Sequence, residues 1–330
     1  MANLKKTKMN QVLKIIKERH RTHSKPGKRH DPYKLALCVE GGGLRGVVSG
    51  GELAALEALN LKDVFDVVYG ASCGAYCGTY FVSGGSMTGA KFFLDYSQKQ
   101  FISIKRFLRG GPIFDLEYVE KTMHSVTPLN YQKVLAANPP LHIVATDASK
   151  SRPHVLKNFE TVYEVNRALK ASSNVPSYFH PRPLVFRSRY FLDASILDPF
   201  CIHSAIAEEA THMLILFSMP WRHRHVFGLL DKKLIAPFLA KINDVLAEIY
   251  LEHGEYSING LSHIWNHYDG THILTVSPSK SHRLPGQLTR DRDRLGYGFL
   301  AGAYAVLDSL DVDNFRRDLI IKSFKQELKL

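Results

Sequence analysis

A serine flanked by glycines at a strand-to-helix junction is the side chain here best suited to nucleophilic chemistry. Gly70-Ala71-Ser72-Cys73-Gly74 has the G-x-S-x-G spacing and follows the apolar run Val64-Phe65-Asp66-Val67-Val68-Tyr69, read as a strand. A hydroxyl at the tip of so sharp a turn needs strained backbone angles, and small neighbours such as Gly70 and Gly74 let strand and helix close around it. Cys73 is a rival thiol on paper, but Ser72 holds the central position of the elbow.

A second element lies upstream. Leu35-Ala36-Leu37-Cys38-Val39 reads as a buried parallel strand, runs into Glu40-Gly41-Gly42-Gly43-Leu44-Arg45-Gly46, and is followed by a helix with Leu53, Leu56 and Leu59 on one face. Glycines at a helix start expose N–H groups that suit a negative oxygen or a phosphate. Two chemistries can use them. Gly41-x-Gly43-x-x-Gly46 has dinucleotide spacing, with Asp63 and Asp66 near the distance of a ribose-binding acid, although Asp63 precedes the strand and Asp66 lies inside it. No Gly-Lys-Ser/Thr ends the loop, which excludes a Walker site. The other use is an oxyanion hole in which the Gly42, Gly43 and Leu44 amides, with Gly41 opening the loop, face a tetrahedral intermediate on Ser72.

The order strand, Gly-Gly-Gly-x-Arg-Gly, helix, strand, Gly-x-Ser-x-Gly, helix resembles the patatin-like phospholipase family. That resemblance extends over residues 35–210 and takes in Ala171-Ser172-Ser173-Asn174-Val175-Pro176 and the short strand Tyr190-Phe191-Leu192 before Asp193. It implies a serine–aspartate dyad of Ser72 and Asp193, no catalytic histidine, no metal and no cofactor. It also implies a lipid or phospholipid acyl ester as substrate. Two positions depart from the family pattern: Ala194 replaces the glycine after the aspartate, and Cys73 follows the nucleophile. The resemblance gives Arg45 two uses, a head-group phosphate contact or a brace on the loop through a carboxylate. A catalytically silent lipid-binding protein and a nucleotide-dependent oxidoreductase are the competing functional classes.

Composition suits a globular enzyme: 330 residues, 45% of them hydrophobic, can hold one large α/β domain or two smaller ones. The four cysteines, Cys38, Cys73, Cys77 and Cys201, have neither metal-ligand nor disulfide-framework spacing and read as reduced core thiols. The N-terminus is polar and lysine-rich without an apolar signal region, which points to the cytosol. Residues 67–90 are uncharged, yet rich in Gly, Ser and Thr, and read as core rather than as a membrane span.

The formal net charge is +12, with the excess concentrated before Pro32. There Met9, Val12, Leu13, Ile15 and Ile16 fall at helical spacing among lysines and arginines. Residues 1–32 therefore form either a basic amphipathic helix lying on anionic membrane or a packed leader followed by a His/Arg/Pro linker. No zinc-finger, RNP-like or helix-turn-helix signal accompanies the charge, so nucleic acid is not an expected partner.

Residues 141–146, 213–217 and 272–276 read as strands and 161–172 as a helix. This alternation predicts a three-layer α/β/α fold with a mainly parallel central sheet, Ser72 at the carboxyl ends of its strands, and a helical C-terminal extension. Its parts are the leader 1–32, a catalytic domain 33–210 and a part 211–330 that completes the sheet. Pro237 marks a break, residues 294–328 read as continuous helix, and the cluster at 290–294 as a solvated helix start. Aromatics and cations between 92 and 118, including Phe92, Phe93, Phe101, Lys105, Arg106, Phe107, Arg109 and Phe114, suit either an acyl-chain wall or helices packing over the sheet edge. Of the 16 histidines, His180, His203 and His272 carry no motif; His263 and His267 have i, i+4 spacing without the acidic partner of a metal helix.

Overall fold

The computed structural model describes residues 10–103, 105–106, 109, 111, 114–175, 182–220, 231–260, 267–268 and 270–330. Phe107, Pro176, His180 and His263 lie outside these residues. Nine strands form one sheet among the described residues: β1 Leu35–Val39, β2 Val67–Ala71, β3 Leu141–Asp147, β4 Arg152–Leu156, β5 Leu184–Phe186, β6 Arg189–Leu192, β7 His212–Leu216, β8 His267–Tyr268 and β9 Thr271–Val276. The spatial order is β5-β6-β3-β2-β1-β7-β9-β8, with β4 also paired to β3. The central β3-β2-β1-β7-β9 run is parallel, and the pairs at its two edges are antiparallel.

Every residue of β1, β2 and β7 is buried, as expected of strands covered on both faces. Leu35, Leu37 and Val39 join a cluster with Leu53 and Leu56 of α2 (Val47–Ala58) and Phe81 of α3 (Cys73–Ser83). Ala36 and Cys38 face the other way, toward Ile202 and Ala205 of a short helix, Ile202–Ala207. The result is a three-layer α/β/α arrangement. β7 and β9 extend the sheet beyond β1, so the C-terminal third belongs to the same core.

Several boundaries differ from expectation. β2 begins at Val67 because Lys62–Val64 form a 3₁₀ turn. The C-terminal helix is two helices, Arg292–Ser309 and Asn314–Leu328, divided where Asp311 has φ +55° and Asp313 caps the second by accepting the Arg316 amide at 3.0 Å. Asp291 caps the first in the same way. Pro237 lies in the first turn of Ala236–Ala240, where its missing N–H costs no helical bond. Phe92, Phe93 and Phe101 are buried and meet edge to face, which favours packing over an acyl-chain wall.

Of the two readings of the basic N-terminal segment, the packed leader is the one residues 10–31 adopt. Helix α1, Gln11–Arg21, buries Val12, Leu13, Ile15 and Ile16 in the main core cluster, so its apolar face is not available to lipid. Arg19, 1% exposed, pairs with Asp31 and Asp66 at 2.7 Å each and also donates to the Val64 and Tyr33 carbonyls. Arg29 binds the second oxygen of Asp66 at 2.6 Å. These bonds stitch residues 10–31 to the amino end of the sheet and make them part of the domain. Among the described residues no helix is long and apolar enough to cross a membrane, and residues 67–90 begin with buried β2, the elbow and α3.

Candidate active site

Ser72 stands between the last residue of β2 and the first of α3, with φ +52° and ψ −126°. This is left-handed space that a non-glycine residue occupies only under constraint. Tight packing supplies the constraint: a Cβ on Gly70 would lie 2.5 Å from Ala75 Cα, and one on Gly74 2.4 Å from the Val39 carbonyl oxygen. The Ser72 amide is tied by donation to Ser172 Oγ at 2.7 Å. Ser172 ends the helix Val162–Ser172, so the Ala-Ser stretch noted in the sequence holds the elbow from below.

Asp193 reaches Ser72 through strand register. β2 pairs Ala71 with Val144 of β3, and β6, running antiparallel to β3, pairs Leu192 with Thr146. One residue further along each strand, Ser72 and Asp193 converge at the level of Ala145. Ser72 Oγ donates to Asp193 Oδ2 at 2.8 Å. The carboxylate is fixed on every side: Oδ1 accepts the Ser195 amide at 2.7 Å, its carbonyl accepts Thr146 Oγ1 at 2.9 Å, and its amide donates to the Asn174 carbonyl at 2.9 Å. No cation pairs with it among the described residues. Burial raises its pKa above the ordinary 3.8, partly offset by hydrogen bonds from Ser195 and Ser72. Ala194, in the family's glycine position, begins a 3₁₀ turn without positive φ, and its methyl is buried in a core cluster. The turn therefore does not need glycine.

The glycine loop leaves β1 beside Ser72. A Cβ on Gly41 would lie 2.9 Å from Ser72 Cβ, and Gly42 and Gly43 have φ +148° and +59°. Leu44 departs from the expected oxyanion set, because its amide donates to the Gln287 carbonyl at 2.9 Å. The Gly42 and Gly43 amides donate to no oxygen among the described residues. Arg45 turns back to brace the loop: Nε donates to Ser218 Oγ at 2.8 Å and Nη2 lies 3.3 Å from Glu40 Oε1. Of its two expected uses, the carboxylate brace is the one its side chain makes. Ser218 Oγ also lies 2.9 Å from Glu40 Oε2 and 3.1 Å from the Gly41 carbonyl, either of which can accept its single proton. A Cβ on Gly46 would lie 2.4 Å from Cys73 Sγ. The Cys73 thiol is pushed up to about 12, chiefly by burial, which makes it a poor nucleophile.

The dinucleotide reading does not fit this arrangement. Asp66 precedes β2, accepts the Leu35 amide at the amino end of β1, and is held by two arginines; Asp63 lies in the adjoining 3₁₀ turn. Both acids are at the opposite end of the sheet from the glycine loop, and the carboxyl end of β2 carries Ser72 instead.

No histidine hydrogen-bonds Ser72 or Asp193 among the described residues. His267 lies in β8 rather than on a helix, in register with His272, which stacks on His212. No group of His, Cys, Asp and Glu among the described residues could hold a metal ion, and the four cysteines are free. Thr146, Ser218 and Gln287 position the site without any local sequence signal, because each acts across a tertiary contact, whereas Ser195 acts from two residues beyond Asp193.

The fold and the elbow define an α/β protein built around a serine hydrogen-bonded to a buried aspartate. The patatin-like phospholipase family's model matches residues 37–206, half of the chain, and the chain belongs to that family, a class of lipid acyl hydrolases. An uncharacterized Escherichia coli protein, YjjU, is 24% identical over 193 residues, covering 57% of this chain and 53% of its own length; the match thus spans about half of that relative. The crystal structure of VipD from Legionella pneumophila aligns with a TM-score of 0.44 and 14% identity, over 85% of this chain and 67% of that one.

Proposed function

We propose that this protein hydrolyses acyl esters of lipids or phospholipids, with Ser72 as nucleophile and Asp193 as general base. Ser72 Oγ attacks the ester carbonyl carbon while its proton passes to Asp193 Oδ2. The Gly42 and Gly43 amides hold the resulting oxyanion. Collapse breaks the bond to the alcohol, which leaves with the proton from Asp193, and the acyl group remains on Ser72. Water then attacks the acyl-enzyme, Asp193 again takes the proton, and it returns that proton to Ser72 Oγ as the acyl–oxygen bond breaks and the fatty acid departs. Two residues suffice because a buried carboxylate with no cationic partner is more basic than a solvated one.

The 2.8 Å hydrogen bond from Ser72 Oγ to Asp193 Oδ2, at a strained elbow beside the glycine loop, carries this reading. A fluorophosphonate probe followed by peptide mapping tests it, with label expected on Ser72 and lost in Ser72→Ala. Vesicle binding without any labelling would instead identify a catalytically silent lipid-binding protein.

A further inference from the structure

Asp193 has to stay ionised in surroundings that disfavour charge. It is 1% exposed, and burial pushes its pKa above the ordinary carboxylate value. Hydrogen bonds oppose that push in the resting protein: the Ser72 hydroxyl donates to Oδ2 at 2.8 Å, the Ser195 amide donates to Oδ1 at 2.7 Å, and the Ser195 hydroxyl also donates to the carboxylate. The proposed reaction removes the first of these. Once Ser72 carries an acyl group its oxygen has no proton to donate, and the carboxylate that must deprotonate water is left with the donors of Ser195.

Local structure holds Ser195 in that place. Asp193 caps the 3₁₀ turn Ala194–Ile196, its side chain accepting the amide two residues on, as aspartate does at the start of a turn. Ala194 and Ile196 on either side are buried, and the Leu197 amide donates to the Ala194 carbonyl at 3.3 Å. The backbone of the turn is thereby fixed, yet Ser195 itself is exposed. An exposed serine hydroxyl ordinarily trades a protein partner for water at little net gain. This one is held against a buried carboxylate, and a hydrogen bond to an ionised group is about twice as strong as a neutral one.

The groups around Asp193 do not replace it. Thr146 of β3 and Asn174 meet the main chain of Asp193 rather than its carboxylate. Cys73 of α3 lies near as a neutral thiol, since burial pushes it up to about 12. Arg189 of β6, the cation closest in sequence, is paired with Asp147 at 2.9 Å, and Arg45 is turned to Glu40 and Ser218. Asp198, beyond the turn, accepts the Ser204 amide at 2.8 Å.

We propose that Ser195 keeps Asp193 charged through both halves of the reaction, its side-chain hydroxyl donating to the carboxylate before and after Ser72 is acylated. This rests on reading Ser72 and Asp193 as the catalytic pair. Ser195 acts through the base rather than on the substrate, and is therefore a positioning residue.

Hydrolysis of a soluble short-chain ester across the pH range, by the full chain and by its Ser195→Ala and Ser195→Thr variants, tests this. In Ser195→Ala the acid limb should move to higher pH, so that kcat/KM on that limb falls by about tenfold more than on the plateau. The acid limb of kcat, which reports the enzyme with substrate or acyl group bound, should move at least as far. Ser195→Thr keeps the hydroxyl and should leave both limbs in place. A uniform drop in rate with the limbs unmoved would make Ser195 a structural residue and overturn the proposal, as would equal displacement by alanine and threonine.

A second readout needs no turnover. With aspartate carboxyl carbons isotopically labelled for NMR and the Asp193 resonance assigned by its absence in Asp193→Asn, the Asp193 titration should move to higher pH in Ser195→Ala and stay in place in Ser195→Thr. The two readings fail separately. Fluorophosphonate label on Ser72 together with an unmoved Asp193 titration sinks the role of Ser195 alone. Absence of label and of turnover in the unmutated protein sinks the hydrolase reading, and this role with it, wherever Asp193 titrates.

Discussion

The two ends of the central sheet hold carboxylates under opposite conditions. At the amino end, Asp31 and Asp66 share Arg19 and Arg29, and the Arg19 hydrogen bond holds Asp31 below its ordinary pKa. At the carboxyl end, Asp193 is more deeply enclosed and faces a hydroxyl and an amide, and burial pushes its pKa up. The same side-chain type is made inert by cations at one end and basic by their absence at the other. Backbone strain is divided similarly: Ser72 takes a left-handed conformation, while the acids at the amino end lie in ordinary turns and loops. The proposed nucleophile and base sit at the end without cations.

The sharpest way to break this comparison is to remove the dyad. Ser72→Ala should lower kcat on a lipid ester by roughly 10³-fold or more, and Asp193→Asn by nearly as much, with the double variant little worse than either; Tm should hold. Turnover near the unmutated rate in either variant would defeat the assignment. The next largest effect belongs to the other end. Arg19→Leu leaves two partly buried carboxylates and the Val64 and Tyr33 carbonyls short of a donor and should cost about 3 kcal/mol in denaturant unfolding, while the labelling rate of Ser72 in the folded fraction stays the same.

Smaller effects sharpen the contrast. Ser172→Ala removes the acceptor of the Ser72 amide and should cost about 1–3 kcal/mol, seen as a fall in kcat larger than any change in KM. Gly43→Ala, at φ +59° and with its new Cβ 2.8 Å from the Gln287 carbonyl oxygen, should lower kcat more than it lowers Tm. The two ends should also separate on acidification. Asp193 must be ionised to act, so kcat/KM should fall with a midpoint above 3.8. Asp31, with its folded pKa lowered, contributes stability that is present above 3.8 and lost only as pH falls through that lower value. A pH–rate profile recorded beside far-UV circular dichroism should therefore show activity lost while the fold persists; simultaneous loss would join what the comparison separates.

The elbow, the glycine loop and the alternation of strands and helices are local patterns, legible because spacing and residue size decide them within a few positions. Ser72 could be named from such a pattern, Asp193 only through the family resemblance, and the layered α/β class followed from buried apolar runs. The sequence could not set the direction of the N-terminal helix's apolar face, because helical periodicity is the same whether a stripe meets lipid or a sheet; packing against the main core decided it. Nor could it show that Leu44's amide is taken by Gln287 or that Arg45 is held by Ser218, which lie 243 and 173 residues away along the chain. Composition and spacing determined which groups could react; three-dimensional contacts determined which charges are compensated, which amides are occupied, and hence where a basic carboxylate survives.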